Sequence, residues 1–230
     1  MPIDLICLDA DDTLWHNERH FGATLQAFEH IVAPFDEAGV ARGTLDEIQI
    51  RNLKLYGYGA KSFTLSMIET ALEIGGDRMP GDAVKRILAA GRELLAHPVE
   101  LLPGIEEALD ALADRARLVL VTKGDLLHQE TKLAASGLGE RFSGIEIVSD
   151  KTADTFRRVF ARHDVTADRA LMAGDSMRSD ILPALSAGAF AAHIPHAMPW
   201  AHEMAEEPAD HPRFRKMERL GDVVEWIDSL

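Results

Sequence analysis

The sequence predicts an α/β protein, a parallel sheet with helices on both faces that is interrupted once by an inserted helical segment. Three observations predict it. Residues 3–8 form a short apolar run that stops abruptly in a cluster of acids. Residues 17–97 carry helical periodicity without a convincing strand, and from residue 101 onward short apolar runs alternate with helical periods. That alternation is the signature of consecutive βαβ units.

The first run, Ile3 to Leu8, is too short for a helix and carries no charge after Asp4, which suits a strand buried on both faces. Asp9, Asp11 and Asp12 follow at its carboxyl end, the edge at which open α/β sheets bind ligands. Placing Asp9 beside Asp11 costs repulsion unless a cation or a shared proton relieves it. Mg²⁺ suits carboxylate oxygens, and such a pair can also divide labour, one acid ionised and the other protonated. The plainer alternative is an acidic turn in which Asp12 or Thr13 caps the next helix.

In the insertion, Phe21, Leu25, Phe28 and Ile31-Val32 recur at helical spacing. So do Ile48, Leu53 and Leu55, then Phe63, Leu65, Ile68 and Leu72, then Val84, Ile87, Leu88 and Leu94-Leu95. Breaks at Pro34, Gly39, Gly57, Gly59, Gly75-Gly76 and Pro80-Gly81 separate these helices. The segment is large enough for a small core of its own. Its Tyr56-Gly57-Tyr58-Gly59 stretch fits a hinge, a specificity loop or a simple interhelical turn.

Residues 101–104 lead back into the main domain, and Ile105, Leu109 and Leu112 make one apolar helix face. Strands are then expected at 118–121, 145–148, 170–173 and 190–194, with helices at 126–136, 152–163 and 181–187 between them. Gly137 and Gly188 end two of these helices. After Pro195 the pattern fades: His196, His202 and His211 lie among Pro199, Pro208 and Pro212, ahead of a short amphipathic helix at 223–230. Histidines so scattered lack metal-ligand spacing and read as surface or packing residues. The expected domains are a core of residues 1–16 and 98–230 and a helical insertion of residues 17–97.

Composition narrows the partners. With 24 basic against 38 acidic residues the net charge is −14, which disfavours nucleic acid polymers and anionic membranes. An anionic small molecule still fits if a metal and local cations reverse the field in the site. Cys7, the single cysteine, excludes an intrachain disulfide and reads as a small buried hydrophobe. No run of 18 apolar residues and no cleavable leader pattern is found, so a soluble cytoplasmic protein is expected.

Further chemistry falls at the other strand ends. Thr122, Lys123 and Gly124 follow the second strand, Lys151 the third, and Gly174-Asp175-Ser176 the fourth. A hydroxyl and backbone N–H groups at Thr122 can cradle phosphoryl oxygens, and the ammonium of Lys151 can neutralise them. Asp175 can complete an oxygen set for Mg²⁺. Each piece alone could be a cap, a solvated lysine or a turn. Four such strand ends in one sheet are hard to obtain by accident.

These motifs resemble those of the haloacid dehalogenase-like hydrolases: Asp9-Ala10-Asp11-Asp12-Thr13 is similar to the first, Thr122 to the second, Lys151 to the third, and Gly174-Asp175-Ser176 with Asp180 to the fourth. The resemblance covers nearly the whole chain and implies a Rossmann-like parallel sheet with an inserted α-helical cap. It further implies Asp9 as nucleophile and Asp11 as general acid/base, with Thr122 and Lys151 completing the catalytic set. Thr122, Lys123, Gly124 and Lys151 would bind substrate. Mg²⁺ would be held by Asp9, the Asp11 backbone carbonyl and Asp175, with Asp180 behind them holding Lys151 or a metal water. Lys123 stands where the family commonly has asparagine, and Thr152 where proline commonly follows the lysine. An acid two residues after the nucleophile resembles the phosphatases rather than the dehalogenases, because a departing alkoxide needs a proton and a halide does not. The implied substrate is a small phosphorylated metabolite.

Overall fold

The computed structural model describes residues 2–230. Six strands, β1 (Leu5–Leu8), β2 (Arg117–Lys123), β3 (Gly144–Val148), β4 (Ala170–Gly174), β5 (Phe190–His193) and β6 (Phe214–Lys216), form one sheet in the order β3-β2-β1-β4-β5-β6. Every pairing is parallel. The first strand sits between β2 and β4, Leu5 lying opposite Arg117 and Ala170, and Leu8 opposite Leu120 and Ala173.

Alternation along β1 explains its unbroken apolar run. Ile6 and Leu8 pack on one face, with Leu118, Leu120 and Leu171 and with Ile105, Leu109 and Leu112 of α5 (Ile105–Ala113). Leu5 and Cys7 pack on the other, with Val119, Val121 and Met172 and with Phe156, Val159 and Phe160. Successive strand residues point to opposite faces, so both sets must be apolar where helices cover both sides. Burial pushes the Cys7 thiol up to about 12, so it is neutral and serves packing.

The remaining core helices are α6 (Leu126–Ser136), α7 (Ala153–Arg162), α8 (Leu182–Ala187) and α9 (Asp222–Asp228). The sequence reading missed β6, which is three residues long with Phe214 alone buried, too little for a two-residue period to show. Trp226 of α9 packs edge-on against Phe190, ring centroids 5.8 Å apart.

By its internal contacts the chain divides into two compact units. One comprises the described residues through Glu18 with Val99–Lys123 and Gln129–Leu230; the other comprises Arg19–Pro98 with Gly124–His128. The second is helical: α1 (Glu18–Val32), α2 (Ala41–Tyr56), α3 (Ala60–Gly75) and α4 (Gly81–Leu95) surround a core that includes Phe28, Ile31, Leu45, Phe63, Met67 and Ile87. Three helix faces differ from expectation; in α4 the buried stripe is Ala83, Ile87, Gly91 and Leu94, and Leu88 is exposed. In α2 the buried stripe is Ala41, Leu45, Ile48 and Asn52, and Leu55 is 74% exposed. Leu53 and Leu55 lie off the i, i+4 ladder that runs through Ile48, so the rung falls on Asn52, whose amide donates to Ser66 Oγ (3.1 Å) and Glu69 Oε2 (2.7 Å). In α3, Leu65 and Leu72 stay exposed while Thr64, Ser66 and Thr70 are buried. Their hydroxyls donate to carbonyls one turn back, at 2.7–2.9 Å, which satisfies them without water. Gly91 of α4 packs on this face, where an added Cβ would fall 2.2 Å from Thr64 Oγ1. In the Tyr56–Gly59 stretch, Gly57 (φ 71°) ends α2 and Gly59 (φ 110°) caps the start of α3, where an added Cβ would fall 3.3 Å from the Asp125 nitrogen. Lys61 is paired with Asp125 at 2.8 Å. Among the described residues, no helix is long and apolar enough to cross a membrane.

Candidate active site

The site begins where β1 ends. Asp9 extends the ladder by one bond, its N–H donating to the Ala173 carbonyl at 3.0 Å, and the chain then curls back on the Ala10 carbonyl, which accepts from Leu14 N–H at 2.8 Å. Asp12 holds a left-handed conformation (φ 63°) in this curl, a strained setting for a non-glycine residue. Its carboxylate accepts from Asn17 and Glu18 N–H, both at 2.9 Å, so capping at the start of α1 falls to Asp12. Thr13 takes another part. Its hydroxyl lies 3.3 Å from Asp9 Oδ2 and accepts the Asp175 N–H at 3.1 Å, tying the ends of β1 and β4 together.

Lys151, buried in the loop after β3, donates to both Asp9 Oδ1 and Asp180 Oδ1, the latter at 2.6 Å. Asp180 sits on a π-helical turn, Met177–Ile181, of the kind that recurs at functional sites. The turn is capped by Ser176 and folds Asp180 back over β4, where Asp180 Oδ2 accepts the Ser176 N–H at 3.1 Å. An added Cβ on Gly174 would lie 2.2 Å from Asp180 Oδ2 and 2.5 Å from its Cγ. Gly174→Ala is therefore expected to push Asp180 off Lys151 and to cost about 1–3 kcal/mol in a urea melt. A variant melting like the parent would show that the turn yields freely.

Ligand oxygens of Asp9, Asp175 and Asp180 all lie within 4.8 Å of one another. Burial pushes the Asp9 carboxyl up to about 7 against the pull of Lys151, and the Asp180 charge adds to the rise. Asp175 is driven well above the usual carboxylate range by burial and by Asp9 and Asp180. Burial works to lower the Lys151 ammonium, but Asp180 and Asp9 outweigh it and hold the group charged. Three acids thus share one ammonium. Negative charge in surplus, carried by oxygen donors alone, fits a hard divalent cation such as Mg²⁺. His193 donates from Nε2 to the Asp175 carbonyl at 2.9 Å; burial lowers its pKa and keeps it neutral.

The Asp11 carboxylate has partners of its own. Lys132 Nζ reaches its two oxygens at 2.5 and 2.7 Å, Trp15 Nε1 donates at 2.6 Å and Gln129 Nε2 at 3.2 Å. Burial opposes ionisation here, yet Lys132, Trp15 and Gln129 together hold the group below its ordinary value. Gln129 also donates to Thr122 Oγ1 at 2.6 Å, joining the second-motif hydroxyl to this network. Lys123 reaches Ser179 Oγ and Glu203 Oε1, both at 2.7 Å. Asp9, Asp11, Asp175, Asp180, Lys123 and Lys151 all line one cavity of about 120 Å³ in the sheet-bearing unit. Thr122, buried and bonded to Gln129, is not among the lining residues, and Gly124 (φ 129°) falls in the helical unit.

Gln129, Lys132, Glu203 and Trp15 escaped the sequence reading. One signal was present: Gln129 and Lys132 stand three apart on α6 beside Leu133, one stripe of that helix, and all three are buried.

A family model described as haloacid dehalogenase-like hydrolase matches residues 3–188. No curated protein sequence matches the chain. Among solved structures, a haloacid dehalogenase-like family hydrolase from Xanthomonas campestris is 39% identical, with a TM-score of 0.88 over 99% of this chain and 92% of that one. The magnesium-bound HAD-hydrolase YfnB from Bacillus subtilis is 18% identical, with a TM-score of 0.70 over 99% and 100%. A 2-haloacid dehalogenase from Pseudomonas syringae pv. Tomato DC3000 is 21% identical, with a TM-score of 0.64 over 99% of each chain. At 18% and 21% identity the last two show the fold alone. With its matched motifs spread over most of its length, the chain belongs to the haloacid dehalogenase-like hydrolases, and it is a hydrolase by that membership.

Proposed function

We propose that this hydrolase is a Mg²⁺-dependent phosphatase that cleaves a small phosphate monoester through an aspartyl phosphate on Asp9. The observation that supports it best is a second carboxylate, Asp11, lining the same cavity as the Lys151-bound Asp9. A halide leaves without a proton, so an acid/base at this position has a task only where an alkoxide departs.

In the first step an Asp9 oxygen attacks phosphorus in line, the ester P–O bond breaks, and Asp11 gives its proton to the leaving oxygen. In the second, Asp11 takes a proton from water as the water oxygen attacks phosphorus, releasing phosphate and regenerating Asp9. Mg²⁺ held by Asp9, Asp175 and the Asp11 carbonyl would neutralise the carboxylates and the phosphoryl oxygens. Lys151 holds Asp9 at a fixed rotamer and stabilises charge on the phosphoryl group. The ionised Asp11 that Lys132 and Trp15 hold is suited to the second step. Its first task requires it to leave Lys132 and take up a proton.

Release of phosphate from p-nitrophenyl phosphate should require Mg²⁺ and fall to background in excess chelator, because the acidic cavity alone repels a phosphate dianion. Equal rates in chelator would remove the metal from the proposal, and halide release from 2-chloropropionate in place of phosphate release would overturn the phosphatase reading.

A further inference from the structure

One wall of the cavity comes from the segment between β5 and β6, the stretch rich in histidine and proline. Met198, Trp200 and Glu203 of that segment line the cavity together with Asp9 and Asp175. Glu203 anchors it. Its carboxylate accepts from Lys123 Nζ at 2.7 Å, from Ser176 Oγ at 2.5 Å and from Ser179 Oγ. Arg178, on the same π-helical turn as Ser179, donates to the His202 carbonyl at 3.3 Å. Burial opposes ionisation of Glu203, but Lys123 and the two serines bring its pKa down to about 2, so it is an anion at neutral pH. Trp200 packs beside His202, ring centroids 4.8 Å apart, and Met198 is 49% exposed.

Charge and shape on this wall act in opposite directions on different substrates. Seven carboxylates and two ammonium groups line the cavity. A divalent cation and the phosphoryl dianion offset one another, so a second anion on the substrate meets surplus negative charge at short range, in a partly buried setting where water screens it poorly. Lys123, the cation that could have received such an anion, is held by Glu203. The indole of Trp200 and the thioether of Met198 offer a leaving group an apolar, polarisable surface.

We propose that residues 195–212 select the leaving group: Trp200 and Met198 receive a neutral group with a flat or apolar face, and Glu203 excludes one that carries a second carboxylate or phosphate. The proposal rests on the phosphatase reading and names its substrate class. Lys123 thereby becomes a positioning residue for the wall.

The test measures binding apart from turnover. Phenylphosphonate and phosphonoacetate are titrated calorimetrically into the Mg²⁺-loaded protein. The parent is expected to bind phenylphosphonate at least about tenfold more tightly, as a like charge in a partly buried site requires. Glu203→Gln, which removes the anion beside Lys123, should narrow that ratio at least about threefold. Trp200→Ala should weaken phenylphosphonate about three- to tenfold, as loss of an aromatic contact does, and Trp200→Phe should restore most of it. Equal affinity of the parent for both ligands, failure of both to bind, or an unchanged ratio in Glu203→Gln overturns the proposal. So does an equal loss of both ligands in Glu203→Gln with a lowered melting temperature, since Glu203 is then only a structural tie. Acetyl phosphate hydrolysis by the parent is measured beside these titrations: its absence, with ligand selectivity intact, counts against the phosphatase reading alone.

Discussion

Asp9→Asn is expected to lower turnover of every phosphate monoester by at least about 10⁴-fold, the scale seen when a nucleophile is removed. The same change should leave the melting temperature in chelator unchanged or raised. An amide has nearly the same shape and can still accept from Lys151, but it cannot form the aspartyl phosphate. It also removes one of three carboxyl groups whose oxygens crowd within 4.8 Å of one another, two of them on the Lys151 ammonium. The Asp9 carboxyl is raised from 3.8 to about 7, so between those values the folded chain binds more protons than the unfolded one. Parent stability in chelator should therefore fall as pH rises through that window, and the fall should shrink in the variant. Turnover near that of the parent would show that Asp9 is not the nucleophile, and a sharply lowered melting temperature would show that its charge holds the site together.

Asp11→Asn is expected to split substrates by leaving group. With an alkyl phosphate, loss of the general acid should slow the first step about 10²- to 10⁴-fold. With an activated aryl phosphate the phenolate departs unaided, so the intermediate should form and then wait for its missing base. A burst of phenolate matching the enzyme concentration, followed by slow release of phosphate, is the expected stopped-flow trace. Lys132 complicates only the size of the effect, because the variant leaves a buried ammonium without its carboxylate partner. Equal, modest losses on both substrates with no burst would remove Asp11 from the acid/base role.

What the sequence made legible was decided by periodicity. In β1, β2 and β4 a run of apolar residues ends at a polar one, so the strand and the functional residue after it are marked by the same transition. That is why the sequence alone sets Asp9, Thr122 and Asp175 at one sheet edge. Partner choice leaves a fainter mark. Lys132 and Gln129 share the stripe of α6 that carries Leu133, but only the fold shows that this stripe turns onto Asp11. Glu203 lies in a stretch with no period at all, yet it is an ion-pair partner of Lys123. Along α2 the reading failed for the opposite reason: leucines drew the stripe toward Leu53 and Leu55, while the geometric rung belonged to Asn52.

The central place of β1 has a consequence for the order of assembly. Of the six strands in this sheet it comes earliest in the chain, yet its two neighbours are β2 and β4, whose paired residues begin at Arg117 and Ala170. A growing chain can complete α1 to α4 of the second unit, with a core of their own, before either neighbour exists. Asp9 then stands at the end of an unpaired strand. Because Asp175 and Asp180 follow β4, no chain that stops short of β4 can gather the three carboxylates, and by then Lys151, which precedes β4, is already made and can offset the cost of bringing them together.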